Sequence, residues 1–168
     1  MLKINESHVT KDIVDDAKAV ILIVPGLEKH LDKYDYVASM LNNYKYSVYR
    51  FNQVMTRKYY DTDYKEFNNH IEETINLIKN ENEDKPIFIL SSSNEDTISN
   101  VDGIIVYSYI KNYYNVECPT LILDVYENEI SSRCKHNKLK VYREENQDYI
   151  LTDINNWIRK RLRYIKNK

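Results

Sequence analysis

Apolar runs and amphipathic segments alternate along the chain. Four apolar runs, each bounded by polar sequence, predict strands that are buried on both faces of a parallel sheet: 18–24, 87–90, 103–107 and 120–124. Segments 44–51 and 138–142 have an alternating pattern and predict two further strands. We expect the run at 87–90 to be the central strand.

Three segments carry apolar residues at helical spacing, namely 31–43, 64–79 and 148–166. Segment 1–16 is polar and weakly patterned, which is typical of an edge strand or a hairpin. Strands that alternate with helices predict one α/β domain with a mostly parallel sheet of about six strands and helices on both faces.

Composition narrows the class of protein. A chain of 168 residues with a net charge of −2 and no block of one sign predicts one domain without a nucleic-acid-binding surface. The most apolar stretch, 19–25, is too short to span a membrane. Cys118 and Cys134 are the two cysteines, and without a secretory signal they indicate an intracellular (cytoplasmic) protein. The 16 tyrosines and two glycines fit an A/T-rich coding sequence, as in some large DNA viruses.

A serine-rich turn follows the predicted central strand. Ser93 lies in this turn, at the carboxyl end of the strand, where open α/β sheets place their ligand sites and where some hydrolases carry a nucleophilic serine. The alternative interpretation of residues 91–93 is a turn or a helix cap without chemistry.

The chain resembles the monoglyceride lipase and lysophospholipase branch of the α/β-hydrolases. The opening strand, loop, helix and strand of that family match 20–51, with Pro25 in place of its first histidine and with these residues kept: Gly26, His30, Tyr34, Val37, Leu41, Tyr46 and Val48. Segment 86–93 is similar to the family's Pro-x-x-Leu-x-Gly-His-Ser, and 101–106, 119–123 and 139–142 resemble its later strands. The resemblance therefore implies a three-layer α/β-hydrolase-like domain in which Ser93 takes the nucleophile position.

The resemblance also implies that the catalytic triad is lost. The elbow reads Ser-Ser-Ser-Asn-Glu instead of Gly-x-Ser-x-Gly, the acid position falls on Asn128, and the histidine position falls near Gln147. No histidine follows His136. The family's lid domain has no counterpart between the predicted strands 103–107 and 120–124. We therefore expect a pseudoenzyme with vestigial positions Ser93, Asn128 and Gln147, and with no cofactor.

Three functional hypotheses remain open. The first is a protein-binding or structural module that binds an unidentified protein partner or self-associates through the tyrosine-rich loop, including Tyr109, Tyr113 and Tyr114. The second is a serine hydrolase with a rearranged site: Ser93, a carboxylate from Glu127 or Glu129, and a relocated base such as His136. The third is a small-molecule binder that uses the cleft of the former active site.

Three other features carry weaker predictions. His30 is interpreted as a structural loop residue. Cys134 and His136 supply two zinc ligands where a structural site needs four, so we expect no metal there. The basic C-terminal end is interpreted as a solvated helix end that complements its own dipole, or as a weak contact for an acidic partner.

Overall fold

A computed structural model describes residues 9–24, 32–51, 64–91, 100–107, 118–124, 137–141 and 147–168. Within these ranges the elements are, in chain order, β1 (Val9–Asp12), β2 (Ala19–Val24), α1 (Asp32–Asn43), β3 (Tyr46–Phe51), α2 (Tyr64–Glu81), β4 (Ile87–Ser91), β5 (Gly103–Tyr107), β6 (Thr120–Asp124), β7 (Asn137–Val141) and α3 (Gln147–Lys166). All six predicted strands and all three predicted helices are confirmed, with bounds that move by at most two residues.

The described strands form one sheet in the order β1-β3-β2-β4-β5-β6-β7. β1 pairs antiparallel with β3, and every other neighbouring pair is parallel. The segment predicted as an edge strand or hairpin is thus an antiparallel edge strand. β4 lies in the middle of the sheet, as predicted, and all five of its residues are buried.

One face of the sheet is covered by α2. Alternate residues of β2 and β4 point to this side, because side chains along a strand alternate between faces. Val20, Leu22 and Ile89 belong to one core cluster together with Ile71 and Ile75 of α2. The apolar stripe on α2 is therefore what holds this helix on the sheet.

The opposite face is covered by α1 and α3. Ile21, Ile23 and Phe88 lie in a second cluster with Leu41 of α1 and Trp157 of α3. α3 buries five side chains in all: Ile150, Leu151, Ile154, Trp157 and Ile158. Helices thus lie on both faces of the sheet, which explains why nearly every residue of β2 to β4 is buried.

Polar contacts link α3 to α1 and to β3 on this second face. The Tyr36 hydroxyl of α1 donates a hydrogen bond to Asp148 Oδ1 of α3 at 2.6 Å. The Tyr46 hydroxyl of β3 donates to Asn155 Oδ1 at 2.7 Å.

In the part of the chain that the structure describes, no helix is both long enough and apolar enough to cross a bilayer.

Candidate functional site

The strand order reverses beside β2. From β2 the chain passes to β3 on one side, and it then returns to β4 on the other side of β2. In open α/β sheets such a reversal leaves a crevice at the carboxyl ends of the two central strands, and ligands bind there. Val24 and Ser91 are the paired last residues of β2 and β4 and mark this position.

Ser91 is the described residue closest in sequence to the predicted nucleophile. It pairs with Val24 on one side and with Val106 on the other, and it is 1% exposed. A serine held at this depth between two parallel strands is a structural residue. Ser93 follows it by two residues and lies outside the described residues.

Of the three positions that the resemblance implies to be vestigial, Gln147 is the one that the structure describes. It is the first residue of α3, is half-buried, and follows the end of β7 by six residues. β7 runs parallel to β6 and β4, so its carboxyl end lies at the same edge of the sheet as Ser91. Asn128, the loop tyrosines Tyr109, Tyr113 and Tyr114, and the alternative acids and base (Glu127, Glu129, His136) lie outside the described residues, as do His30 and Cys134.

Arg50, near the carboxyl end of β3, is engaged by two carboxylates. Its Nε donates to Asp12 Oδ2 at 3.2 Å, and its guanidinium also donates to Asp35 Oδ1. Burial works against the charged form, but the hydrogen bond to Asp35 and the charge of Asp12 outweigh it, so the pKa of Arg50 lies above its ordinary value. Arg50 thus joins β1, β3 and α1. Sequence reasoning missed this role, because Asp12 and Asp35 are distant from Arg50 along the chain.

Among the described residues, no three His, Cys, Asp or Glu side chains lie close enough together to hold a metal ion. The Cys118 thiol is buried, and it donates a weak hydrogen bond to the Val101 carbonyl at 3.6 Å. Cys118 therefore acts as a core residue beside β6.

A second concave surface lies at the other edge of the sheet. It has a volume of about 500 Å³ and is formed by residues just before β2, just before β4 and in the last turns of α3. Sequence reasoning identified the basic end of α3 but not the cleft, because Lys18 and Lys85 join it through the sheet pairing alone. A signal was available in Lys18 and Lys85, which lie at or close to the start of two of the predicted strands, since parallel strands begin at the same edge.

No protein-family model matches the chain, and no curated protein is significantly similar to it.

Proposed function

We propose that this chain is a catalytically inactive α/β-hydrolase-like protein that acts as a protein-binding or structural module. The observation that carries the proposal is the position of Gln147. It begins the helix that follows the last strand of the sheet, where the resemblance expects the catalytic histidine. A glutamine amide has no basic nitrogen at neutral pH, so it cannot take a proton from a serine.

The sheet supports the hydrolase part of this proposal. An antiparallel edge strand, followed by parallel strands whose order reverses once around β2, agrees with the hydrolase order that the resemblance implies. The two core clusters, one on each face, agree with a three-layer domain. Twelve residues separate β5 from β6, which is too few for a lid domain.

The loss of the base explains why no catalysis is expected. A serine hydroxyl is a weak nucleophile unless an adjacent base removes its proton. Loss of one triad member typically lowers kcat by several orders of magnitude. Oxyanion donors at the backbone amides of residues 27 and 94 would then stabilise an intermediate that does not form.

Rate assays test the loss of catalysis directly. They compare the wild-type chain with Ser93→Ala in the hydrolysis of short-chain esters and of monoacylglycerol. We expect equal rates, and no labelling of Ser93 by a fluorophosphonate. Ser92→Ala is the matched control, because it removes a neighbouring hydroxyl from the same turn. A rate that falls in Ser93→Ala but not in Ser92→Ala would instead establish a serine hydrolase with a rearranged acid and base.

The binding role is assigned to the loop 111–116 and the turn after Ser93. Tyrosine combines a large apolar surface with a polar end, which favours it at interfaces. We expect Tyr113→Ser/Tyr114→Ser to weaken self-association in sedimentation, or capture of a partner, with little change in thermal stability. Tyr164→Ser is the control, since this tyrosine is 52% exposed in the last turns of α3, at the opposite edge of the sheet. Early unfolding of the loop variant, with normal binding when folded, would show that the loop tyrosines are core residues.

A further inference from the structure

The cleft at the amino-terminal edge of the sheet concentrates positive charge. Its lining includes one acidic side chain, Asp84, and five basic ones: Lys18, Lys85, Arg159, Arg163 and Lys166. These residues come from three segments that are far apart in sequence. The fold, and not a run of basic sequence, therefore brings the charges together.

The backbone beneath the cleft is held by the sheet. The Val20 amide donates to the Pro86 carbonyl at 2.9 Å, which ties the start of β2 to the start of β4. The Lys18 amide donates to the Lys45 carbonyl at 2.9 Å. Lys18 and Lys85 thus project from fixed positions, which lowers the entropy lost when both contact one ligand.

The basic side chains of the cleft have no acidic partners in the described part of the chain. The ion pairs there involve Lys11 with Glu81 and Arg50 with Asp12 and Asp35, and none involves a cleft residue. The dipole of α3 accounts for Arg163 and Lys166 in its last turn. It does not account for the lysines that precede the strands. Like charges gathered in this way repel one another, and a bound anion would remove the repulsion.

Apolar surface lies between the charges. Ala17 is buried, and Pro86, Leu162 and Ile165 are half-buried in the lining of the cleft. A volume of about 500 Å³ is in the range of sites for small molecules. A fitting ligand carries several negative charges on one part and a flat or apolar group on another.

We propose that this cleft binds a small, multiply phosphorylated molecule with a ring group, of the size of a nucleoside triphosphate. Lysine and arginine are the side chains that bind phosphate oxygens, and the five basic side chains, less the one carboxylate of Asp84, match the charge of about −4 on a triphosphate chain. The ring packs on Leu162 and Ile165. The site lies at the edge opposite Ser91 and Gln147, so it does not depend on the proposed loss of catalysis.

The test measures binding of ATP to the full chain by calorimetry, at low and at physiological salt. In Lys18→Gln/Lys85→Gln we expect affinity to fall by about tenfold, because two contacts between largely solvent-accessible charges are lost. The matched control is Lys79→Gln/Lys160→Gln, which also removes two positive charges, but from helix positions outside the cleft. Both variants should unfold at the wild-type temperature without ligand, and the same concentration of ATP should raise that temperature less in Lys18→Gln/Lys85→Gln than in the control or the wild type.

Two further probes identify the ligand class. Tripolyphosphate, which lacks the ring, should bind more weakly than ATP, and vesicles that contain phosphatidylinositol bisphosphate should bind less well than free ATP. No detectable ATP binding, or an equal loss in the two double variants, would overturn the site. If tripolyphosphate bound as tightly as ATP, the proposed ring contact would be wrong. If the vesicles bound more tightly than ATP, the proposal of a free small molecule as the ligand would be wrong.

Discussion

Tyr46 is a buried phenol with a single polar partner. Its side chain is 0% exposed, and its hydroxyl donates to Asn155 Oδ1. Burial disfavours the phenolate, and although the charge of Arg159 opposes this, the pKa of Tyr46 rises to about 12. The proton on this hydroxyl is therefore linked to folding.

This linkage predicts a loss of stability at high pH. An unfolded tyrosine has a pKa of about 10, so between pH 10 and about 12 the unfolded chain releases a proton that the folded chain keeps. Below pH 10 the free energy of unfolding keeps the whole contribution of this proton. It falls by up to about 2–3 kcal/mol as the pH rises through this range. Urea unfolding across the range should show a shallower fall for Tyr46→Phe than for wild type.

The result rests on a comparison of slopes between the variants and the wild type. Tyr164→Phe is the control, because Tyr164 is 52% exposed. It should keep the wild-type slope. Tyr46→Phe should also lose about 1 kcal/mol at neutral pH, from the hydrogen bond to Asn155. Equal slopes in all three proteins would show that the Tyr46 proton is not linked to folding.

Gly103 is a position where a side chain does not fit. A Cβ at this residue would lie 2.7 Å from Trp157 Cη2 and 2.9 Å from Phe88 Cδ1. Phe88 is the register partner of Gly103 on β4, and its ring packs edge-on against Trp157 with the ring centroids 6.1 Å apart. The absence of a side chain at Gly103 thus lets α3 approach the middle of the sheet.

We expect Gly103→Ala to destabilise the fold by about 1–3 kcal/mol, measured by urea unfolding, because the added methyl group overpacks this contact. Trp157→Phe removes Cη2 and loses packing of its own. In the double variant, the cost of the alanine should be smaller than in the wild-type background. Strictly additive effects would mean that the methyl group clashes with something other than Trp157.

At the scale of elements, a strained residue lies between the end of α1 and the start of β3. The Tyr44 amide donates to the Met40 carbonyl at 3.2 Å, and the Lys45 amide donates to the Asn42 carbonyl at 2.9 Å. Lys45 then has a φ of 71°, in the left-handed region that suits glycine, before β3 begins at Tyr46. Asp16 and Asn100 also have positive φ, but their side chains tolerate this region better.

We expect Lys45→Gly to raise the free energy of unfolding by about 0.5–1 kcal/mol, since the strain of the left-handed conformation exceeds the added entropy of the unfolded chain. Lys160→Gly makes the same change at an exposed position inside α3, and it should lower stability by about 1 kcal/mol. Thermal unfolding of the two variants measures both signs. A loss of stability in Lys45→Gly would show that its side chain stabilises the fold more than its backbone strains it.

The elements themselves were predictable because their patterns are local. Ile71, Ile75 and Ile78 are spaced for one helix face, and all three are buried. The apolar strand at 120–124 is observed with the predicted bounds. The final helix starts one residue before the predicted start, at Gln147. Sequence patterns set helix ends poorly, because the first and last turns lack the full set of backbone hydrogen bonds.

Contacts between distant segments were less predictable. Strand order brings Arg50 to Asp12 and Asp35. It also brings Lys18 and Lys85 into one cleft with Arg159. A single sequence does not reveal that order by periodicity. Ser93 was singled out by its place in the turn after the central strand, whereas Asn128 and Gln147 came from the resemblance alone. Gln147 is the one among these candidate positions that the structure describes.

At the scale of the whole molecule, the second face of the sheet depends on the last helix. β2, β4, β5 and β6 contribute Ile21, Phe88, Ile105 and Leu121 to the cluster that α3 covers. The helix that covers these four strands thus follows all of them along the chain. Because these contacts are distant in sequence, the described part of the fold should form cooperatively and late.

We therefore expect a chain that stops after residue 146 not to fold cooperatively. α3 buries five large apolar side chains, each worth about 1.5–3 kcal/mol, so their loss is comparable to the typical total stability of about 5–15 kcal/mol. The truncated chain should show no sigmoidal thermal transition, and it should bind a dye that recognises exposed apolar surface. A chain that stops after Leu162 keeps all five side chains and loses mainly exposed residues, so it should unfold cooperatively. If the shorter chain also gave a sharp transition, then the sheet with α1 and α2 would be a folding unit by itself, and α3 would be an addition to it.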